Sequence, residues 1–202
     1  MSRTLKFWAI VLCLLAVGAV VLLKRAGSGT HEAPGAVETA VARRLRSWAM
    51  PSDARGRPSP IQSSPELLRE AAHHFADHCA SCHGNDGSGN TAMGRRLYPR
   101  APDMRQAATQ QLTDGELYYI IENGVRFTGM PAFGEEPGND HNEESWELVH
   151  FIRYLPRISA DELAEMKKMN PKSPMELERE EKMKRFLAGE ELPVENSHEN
   201  HH

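Results

Sequence analysis

The residues with the clearest chemical potential are two cysteines and a histidine in the run Cys79-Ala80-Ser81-Cys82-His83. A C-x-x-C-H sequence is the attachment motif for a c-type haem. The two thiols can form thioethers with the haem vinyl groups, and the adjacent imidazole falls beneath the iron. We therefore predict one covalently bound haem c, attached through Cys79 and Cys82, with His83 as an iron ligand.

Two other interpretations of the same pair of cysteines are a redox-active disulfide and a zinc site. A thioredoxin-like C-x-x-C leaves His83 unexplained, and no βαβ pattern surrounds the pair. A zinc site would need a second pair of ligands at a matching spacing, and none is present in the sequence. With 3 cysteines in 202 residues, the chain also has too few for a disulfide framework.

A methionine further along the chain is the candidate for the opposite side of the iron. Met130 lies between Gly129 and Pro131, where stiff, non-helical backbone would hold its side chain in a fixed position. A thioether is a soft, neutral donor that favours ferrous iron, so His/Met ligation raises the reduction potential. Met93 and Met104 are competitors, and a core-filling role is the alternative for Met130 itself. We predict Met130 as the second axial ligand.

Three predicted helices would position these residues. The first has Ser64 as its N-cap and runs from Leu67 to about His78, so it leads directly into Cys79. The second opens with a capping box at Thr113 and ends at Asn123-Gly124. The third runs from about Glu143 to Leu155 and is stopped by a proline. Their apolar faces would pack together and hold the haem-bearing loop.

Over residues 65–156 the sequence resembles a class I monohaem cytochrome c of the bacterial, membrane-anchored type. The resemblance rests on the C-x-x-C-H motif, the helix ending at Asn123-Gly124, the Gly129-Met130-Pro131 run and the closing Trp146–Leu155 helix. It implies an all-α fold in which the N- and C-terminal helices cross around the haem, with His83 as proximal and Met130 as distal ligand. In this family a proline carbonyl often orients the proximal imidazole. Pro99 and Pro102 lie further from the motif than that pattern leads us to expect, so we assign the role to neither.

Residues 1–25 are predicted to be a signal anchor that crosses a membrane. An uninterrupted apolar run from Phe7 to Leu23 would span ~25 Å as a helix, at the short end for a bilayer. A cleaved signal peptide is the competing interpretation, although its apolar core usually covers about 7–15 residues. Covalent attachment of haem c in bacteria implies export. We therefore expect the protein in the bacterial inner (cytoplasmic) membrane, with the haem domain facing the periplasm.

Residues 26–64 are predicted to be a basic stem or linker. Residues 1–64 carry nine Arg and Lys against three Asp and Glu, whereas residues 65–156 carry seven against fourteen. A basic segment beside an apolar terminus favours a membrane contact over nucleic acid. Apolar side chains within the stem repeat at helical spacing, at Val37, Val41, Leu45 and Trp48. Such a helix could lie on an anionic membrane surface. Alternatively, it could pack on the head or remain in solvent, and the sequence does not decide between these alternatives.

Residues 157–202 are predicted to form a helical tail with a histidine-rich end. One helix starts at Ser159 and ends before Pro171, and a second starts at Ser173-Pro174 and runs to about Ala188. The end, His198 to His202, matches a weak metal-binding tract in composition. We interpret it as an unstructured or appended tail.

These features predict a membrane-tethered c-type cytochrome that carries single electrons between respiratory partners by Fe(III)/Fe(II) cycling. It would not itself be an enzyme, because a single haem with a filled distal site leaves no position for a substrate. Its partners would be redox proteins, a membrane donor and a terminal acceptor, and no nucleic acid. Two alternatives are a haem c subunit of a larger oxidase, reductase or dehydrogenase complex, and a haem-based ligand sensor. The sensor would require Met130 to be absent from the iron or labile.

Overall fold

A computed structural model describes residues 2–26, 29, 34–134, 142–172 and 174–188, and the described residues contain helices and no strand. The all-α prediction is therefore confirmed over that part of the chain. The histidine-rich end falls outside it. The α-helices, numbered in chain order, are α1 (Arg3–Ala26), α2 (Ala36–Ala49), α3 (Ser52–Gly56), α4 (Pro65–His74), α5 (Ala80–His83), α6 (Ala107–Gln110), α7 (Asp114–Asn123), α8 (Glu143–Tyr154), α9 (Ala160–Met169) and α10 (Pro174–Leu187). A π-helical turn covers Phe75–Cys79, and 3₁₀ turns cover Gly94–Arg96 and Leu155–Arg157.

Helix α1 is the apolar segment predicted to be an anchor. Its Arg3–Val21 stretch has a mean hydropathy of 2.3, and none of it is buried against the rest of the protein. By length and composition this helix can cross a bilayer. Helix α1 is therefore consistent with a membrane-anchored protein.

The helices that flank the site begin where their capping residues predict. Ser64 Oγ accepts a hydrogen bond from the Leu67 amide at 3.1 Å, which starts α4. Thr113 and Glu116 form the predicted capping box, in which each side chain accepts from the other residue's amide. These contacts satisfy backbone donors that have no partner within the helix.

The core forms where α4, α7 and α8 meet. The Phe75 and Phe151 rings lie 5.1 Å apart between centroids, and both side chains are almost completely buried. Tyr118 of α7 stacks on Trp146 of α8 at 4.2 Å. Aromatic pairs of this kind remove a large apolar area from water, so they dominate the stability of a small helical domain.

The core also draws on residues outside the segment 65–156. Met166 of α9 is 2% exposed and belongs to the same cluster. On the other side, Met50 and Ala54 are buried where α3 packs against α7. Parts of both the predicted stem and the predicted tail therefore contact the head.

Replacing the core phenylalanine of α8 tests this packing. Phe151→Ala is expected to lower the free energy of unfolding by about 3–5 kcal/mol, because it leaves a cavity between α4 and α8. Phe127 is 99% exposed and provides a matched control. Phe127→Ala should change stability by no more than about 0.5 kcal/mol. Denaturant titration of the full-length protein in detergent, followed by aromatic circular dichroism, measures both. Equal changes in unfolding free energy in the two variants would show that α4 and α8 do not share a core.

Candidate functional site

The helix that carries the motif continues further than the sequence predicts. Instead of ending near His78, α4 widens into the π-helical turn Phe75–Cys79 and then continues as α5. In this turn the amide of Ala80 donates to the Phe75 carbonyl, five residues back. A π-helical turn adds a residue to one turn, so the residues after it are rotated relative to the face that precedes it, and such turns are frequent at functional sites.

Helix α5 consists of four residues and contains Cys82 and His83. Gly84 follows the helix as its C-cap. It has a φ of 72° and donates its amide to the Ala80 carbonyl. Cys79 is the residue directly before α5. The three predicted haem-binding residues of the motif are thus held by one short helical segment.

His83 is buried, with 7% of its surface exposed. Burial lowers the pKa of His83, and the backbone of Pro102 acts on that pKa in the opposite direction. The imidazole is therefore neutral at physiological pH, which is the form that ligates a metal. Its buried Nδ1 atom has no hydrogen-bond partner, so we interpret the Pro102 contact as electrostatic rather than as a formed hydrogen bond. The sequence analysis assigned neither Pro99 nor Pro102 to a contact with this imidazole, and in the structure the backbone of Pro102 lies beside His83.

Cys79 and Cys82 are both free thiols and are partly buried. Burial, and to a smaller extent the neighbouring Cys82, raises the pKa of the Cys79 thiol to about 12. The thiol of Cys79 is therefore protonated at physiological pH. This environment fits a covalent attachment point better than an exchange-active thiolate.

The loop after the motif satisfies the carbonyl groups at the end of α5. The Thr91 hydroxyl lies 2.8 Å from the Ser81 carbonyl and 3.1 Å from that of Cys82, and it accepts from the Gly94 amide at 2.8 Å. The His83 carbonyl accepts from the Gly89 amide at 2.7 Å. Carbonyls in the last turn of a helix have no helical partner, so these bonds fix the motif in place.

Gly94 allows that loop to approach the motif closely. A Cβ atom at this position would overlap the carbonyl oxygen of Cys82. Only glycine fits such an approach without moving the backbone.

An ion-pair network closes the same loop. Arg105 binds Asp103 through two bonds, Nε to Oδ1 at 2.8 Å and Nη2 to Oδ2 at 2.9 Å. Its Nη1 also lies 3.3 Å from Asp86 Oδ2. The hydrogen bonds from Arg105 hold the pKa of Asp103 at about 2. Because Asp103 follows Pro102, the network fixes the backbone that faces His83.

The predicted distal residue lies on a second constrained loop. Val125 donates its amide to the Met130 carbonyl at 3.1 Å, and Met130 donates its own to Thr128 Oγ1 at 3.1 Å. Gly124 adopts a φ of +63°, and a Cβ atom there would lie 2.7 Å from the Met130 carbonyl oxygen. The stiff, non-helical backbone expected at this position is present.

The two loops are in contact with each other. Gly129 packs against Leu97, such that a Cβ atom at 129 would lie 2.5 Å from Leu97 Cδ2. Leu97 directly follows the 3₁₀ turn that begins at Gly94. The structure thus brings the loop of Met130 next to the loop that holds the motif.

The residues that the sequence analysis did not identify are those that hold the C-x-x-C-H motif in place. Thr91, Gly94 and Arg105 hold the motif through loop contacts, and Pro102 faces His83. The only sequence signal for them is a loop rich in Gly, Pro and Asp between the motif and the next helix. Composition of this kind predicts a loop but not its path.

Similarity to known proteins is found in the part of the chain that carries the motif. Residues 66–152 match the family model for cytochrome c oxidase, cbb3-type, subunit III. The cbb3-type cytochrome c oxidase subunit FixP of Rhizobium meliloti (strain 1021) is 35% identical over 91 residues, which is 45% of this chain. That match spans 29% of the length of FixP. The residues matched by the family model include the C-x-x-C-H motif and most of α8.

The Thr91 hydroxyl can be tested by an isosteric substitution. Thr91→Val keeps the shape of the side chain but leaves the Ser81 and Cys82 carbonyls without their donor, which should lower the free energy of unfolding by about 1–3 kcal/mol. Thr91→Ser keeps the hydroxyl and should retain most of the stability. Urea titration of the full-length protein measures both variants. Equal losses in the two would indicate that the methyl group, not the hydrogen bonds, holds the loop.

The Asp103–Arg105 pair predicts a specific dependence of stability on pH. The pKa of Asp103 is lowered from 3.8 to about 2, so its ion pair stabilises the fold above pH 3.8 and this contribution is lost as the pH falls toward 2. Asp103→Asn and Arg105→Gln should each flatten the pH dependence of the unfolding free energy within that window. If either variant keeps the wild-type profile, the pair does not stabilise the loop.

Proposed function

We propose that residues 66–152 form a cytochrome c domain that binds haem c covalently, and that the whole chain is a membrane-anchored carrier of single electrons. The observation that carries this proposal is the placement of Cys79, Cys82 and the buried His83 on one short helical segment within the matched region. Haem iron supplies a one-electron Fe(III)/Fe(II) couple when bound. Helix α1 supplies the anchor.

In this proposal each residue of the motif has a separate role. The sulfur atoms of Cys79 and Cys82 hold the haem covalently, and the neutral imidazole of His83 is the proximal ligand. The Nδ1 atom of His83 is buried, and the backbone of Pro102 lies close enough to the imidazole to act on its pKa. A partner at that nitrogen fixes the orientation of a ligating imidazole and increases its basicity.

We propose Met130 as the distal ligand because the other candidates lie in less suitable places. Met104 is 8% exposed and belongs to the apolar core. Met93 is exposed to solvent. Met130 is half-buried on a loop whose backbone is fixed by hydrogen bonds at both ends. If His83 and Met130 both bind the iron, no position on it would remain for a substrate, and the protein would not be an enzyme by itself.

Membership of a larger oxidase complex is a more specific form of the same proposal. The matched family and FixP are both named as subunits of cbb3-type cytochrome c oxidase. By that analogy the chain would pass electrons to the catalytic subunits of such an oxidase, and its partners would be a membrane donor and those subunits. The haem domain would face the periplasm of the inner membrane, since covalent haem attachment implies export.

Substitution of the distal methionine tests the ligand assignment. Met130→Ala should abolish the methionine-to-iron charge-transfer band of the ferric protein and lower the midpoint potential by a substantial part of the roughly 0.8 V that axial ligands span. Met93→Ala is the matched control and should change neither. Potentiometric titration of the purified membrane fraction with visible spectroscopy measures both. An unchanged spectrum in Met130→Ala would disprove the assignment, and a wild-type protein that binds exogenous ligands at the iron would favour the sensor.

Attachment and assembly need two further measurements. The Cys79→Ala/Cys82→Ala double variant should lose covalent haem, detected as haem that is extracted by acid acetone. Mild-detergent purification of the full-length protein should recover oxidase activity and the larger oxidase subunits. Recovery of a haem protein without them would leave a free membrane carrier as the function.

A further inference from the structure

Helix α2 has two sides that differ sharply in exposure. Val37, Val41, Leu45 and Trp48 repeat along one side, and Val37 and Trp48 are 79% and 82% exposed. At 3.6 residues per turn, the half-buried residues Thr39, Arg46 and Ser47 lie on the opposite side. We call the four exposed residues the α2 stripe.

The C-terminal end of α2 is joined to the head. Met50, directly after α2, is buried, and α3 packs against α7 two residues later. Glu38 accepts a hydrogen bond from the Tyr98 hydroxyl. The partly buried Thr39, Arg46 and Ser47 mark the side of α2 nearer to the head, and the α2 stripe lies on the exposed side.

A row of exposed apolar side chains that includes a tryptophan is typical of an interaction surface. The position of α2 in the chain indicates which one. Helix α1 ends at Ala26 and α2 begins at Ala36, so even a fully extended connection reaches only about 30 Å. Because the connection from α2 to the membrane-spanning helix is short, α2 meets the bilayer surface at a high effective concentration.

The charges beside the stripe match the same surface. Arg44 of α2 is exposed and lies at the margin of the stripe, whereas the exposed Arg43 lies on the opposite side of the helix. Lys24 and Arg25 follow the apolar run of α1. Amphipathic helices that lie in the interface combine an apolar face with Arg or Lys, which bind anionic headgroups.

We propose that α2 lies in the interface of the bilayer that α1 crosses, with the α2 stripe inserted at the boundary between headgroups and acyl chains. Arg44 then binds lipid phosphates. Because α2 is joined to the head through the buried Met50 and through α3, which packs against α7, insertion of the stripe holds the head near the membrane in a restricted orientation. The inference depends on the anchoring by α1 and not on the identity of the electron partners.

Trp48 is a natural probe for this contact. The experiment uses the full-length protein with Trp8→Phe, which removes the tryptophan of α1, reconstituted into vesicles of phosphatidylcholine with and without phosphatidylglycerol. Subtraction of the same protein with Trp48→Phe isolates the Trp48 emission from that of buried Trp146. Brominated lipids should quench Trp48 several-fold more strongly than aqueous iodide does, and more strongly with phosphatidylglycerol present.

Two glutamate substitutions distinguish the effect of a charge within the stripe from the effect of a charge elsewhere on α2. Val41→Glu places a carboxylate within the stripe and should reverse the quenching preference, so that iodide becomes the stronger quencher. Ala42→Glu adds the same charge about 100° around the helix and should leave lipid quenching close to that of the parent protein.

Quenching of Trp48 by iodide in both kinds of vesicle would overturn the proposal and leave a protein subunit as the partner of the stripe. Equal effects of the two glutamates would also overturn it. The haem spectrum and retention in vesicles, measured on the same samples, report separately on the proposed function.

Discussion

His83 is the last residue of a four-residue helix, and its imidazole is buried. The carbonyl groups at this helix end have no partners within the helix and need hydrogen-bond donors from elsewhere. Leaving these groups unsatisfied would cost more than the short helix gains from its own hydrogen bonds. The protein meets this constraint with the loop that follows, through Thr91, Gly94 and Gly89. The Asp103–Arg105 pair then closes the loop behind Pro102. The geometry of the motif therefore depends on a loop of some twenty residues that carries none of the predicted ligands.

Local signals in the sequence were sufficient for the parts of the fold that local interactions determine. Ser64, Thr113 and Ser159 cap helices where their residue types predict. The predicted and observed ends of α8 differ by a single residue, because Pro156 cannot continue the helix. The chemistry of the C-x-x-C-H motif likewise follows from its residue types and their spacing alone.

The remaining features depend on contacts between distant segments, and no local pattern encodes them. The π-helical turn at Phe75–Cys79 keeps Phe75 in the core while the chain continues into α5, which requires the partner Phe151 from α8. The approach of Pro102 to His83 depends on how the intervening loop folds, so its distance along the chain was misleading. Met130 is the intermediate case. Its flanking glycine and proline predicted a rigid loop, but the contact between Gly129 and Leu97 that brings this loop beside the motif appears only in three dimensions.

The segment shared with cbb3-type subunits is not stabilised by its own residues alone. Met166 of α9 fills the core from beyond its C-terminal end, and α9 is held by the capping box of Ser159 and a bond from Tyr154 to Glu162. Met50 and α3 cover α7 from the other side. A small helical domain buries a limited fraction of its surface, so each added element contributes appreciably to its stability. These additions cover the head on two sides, with α9 packed against α4 and α3 packed against α7. The core of the matched segment is thereby completed by residues on both sides of it along the chain.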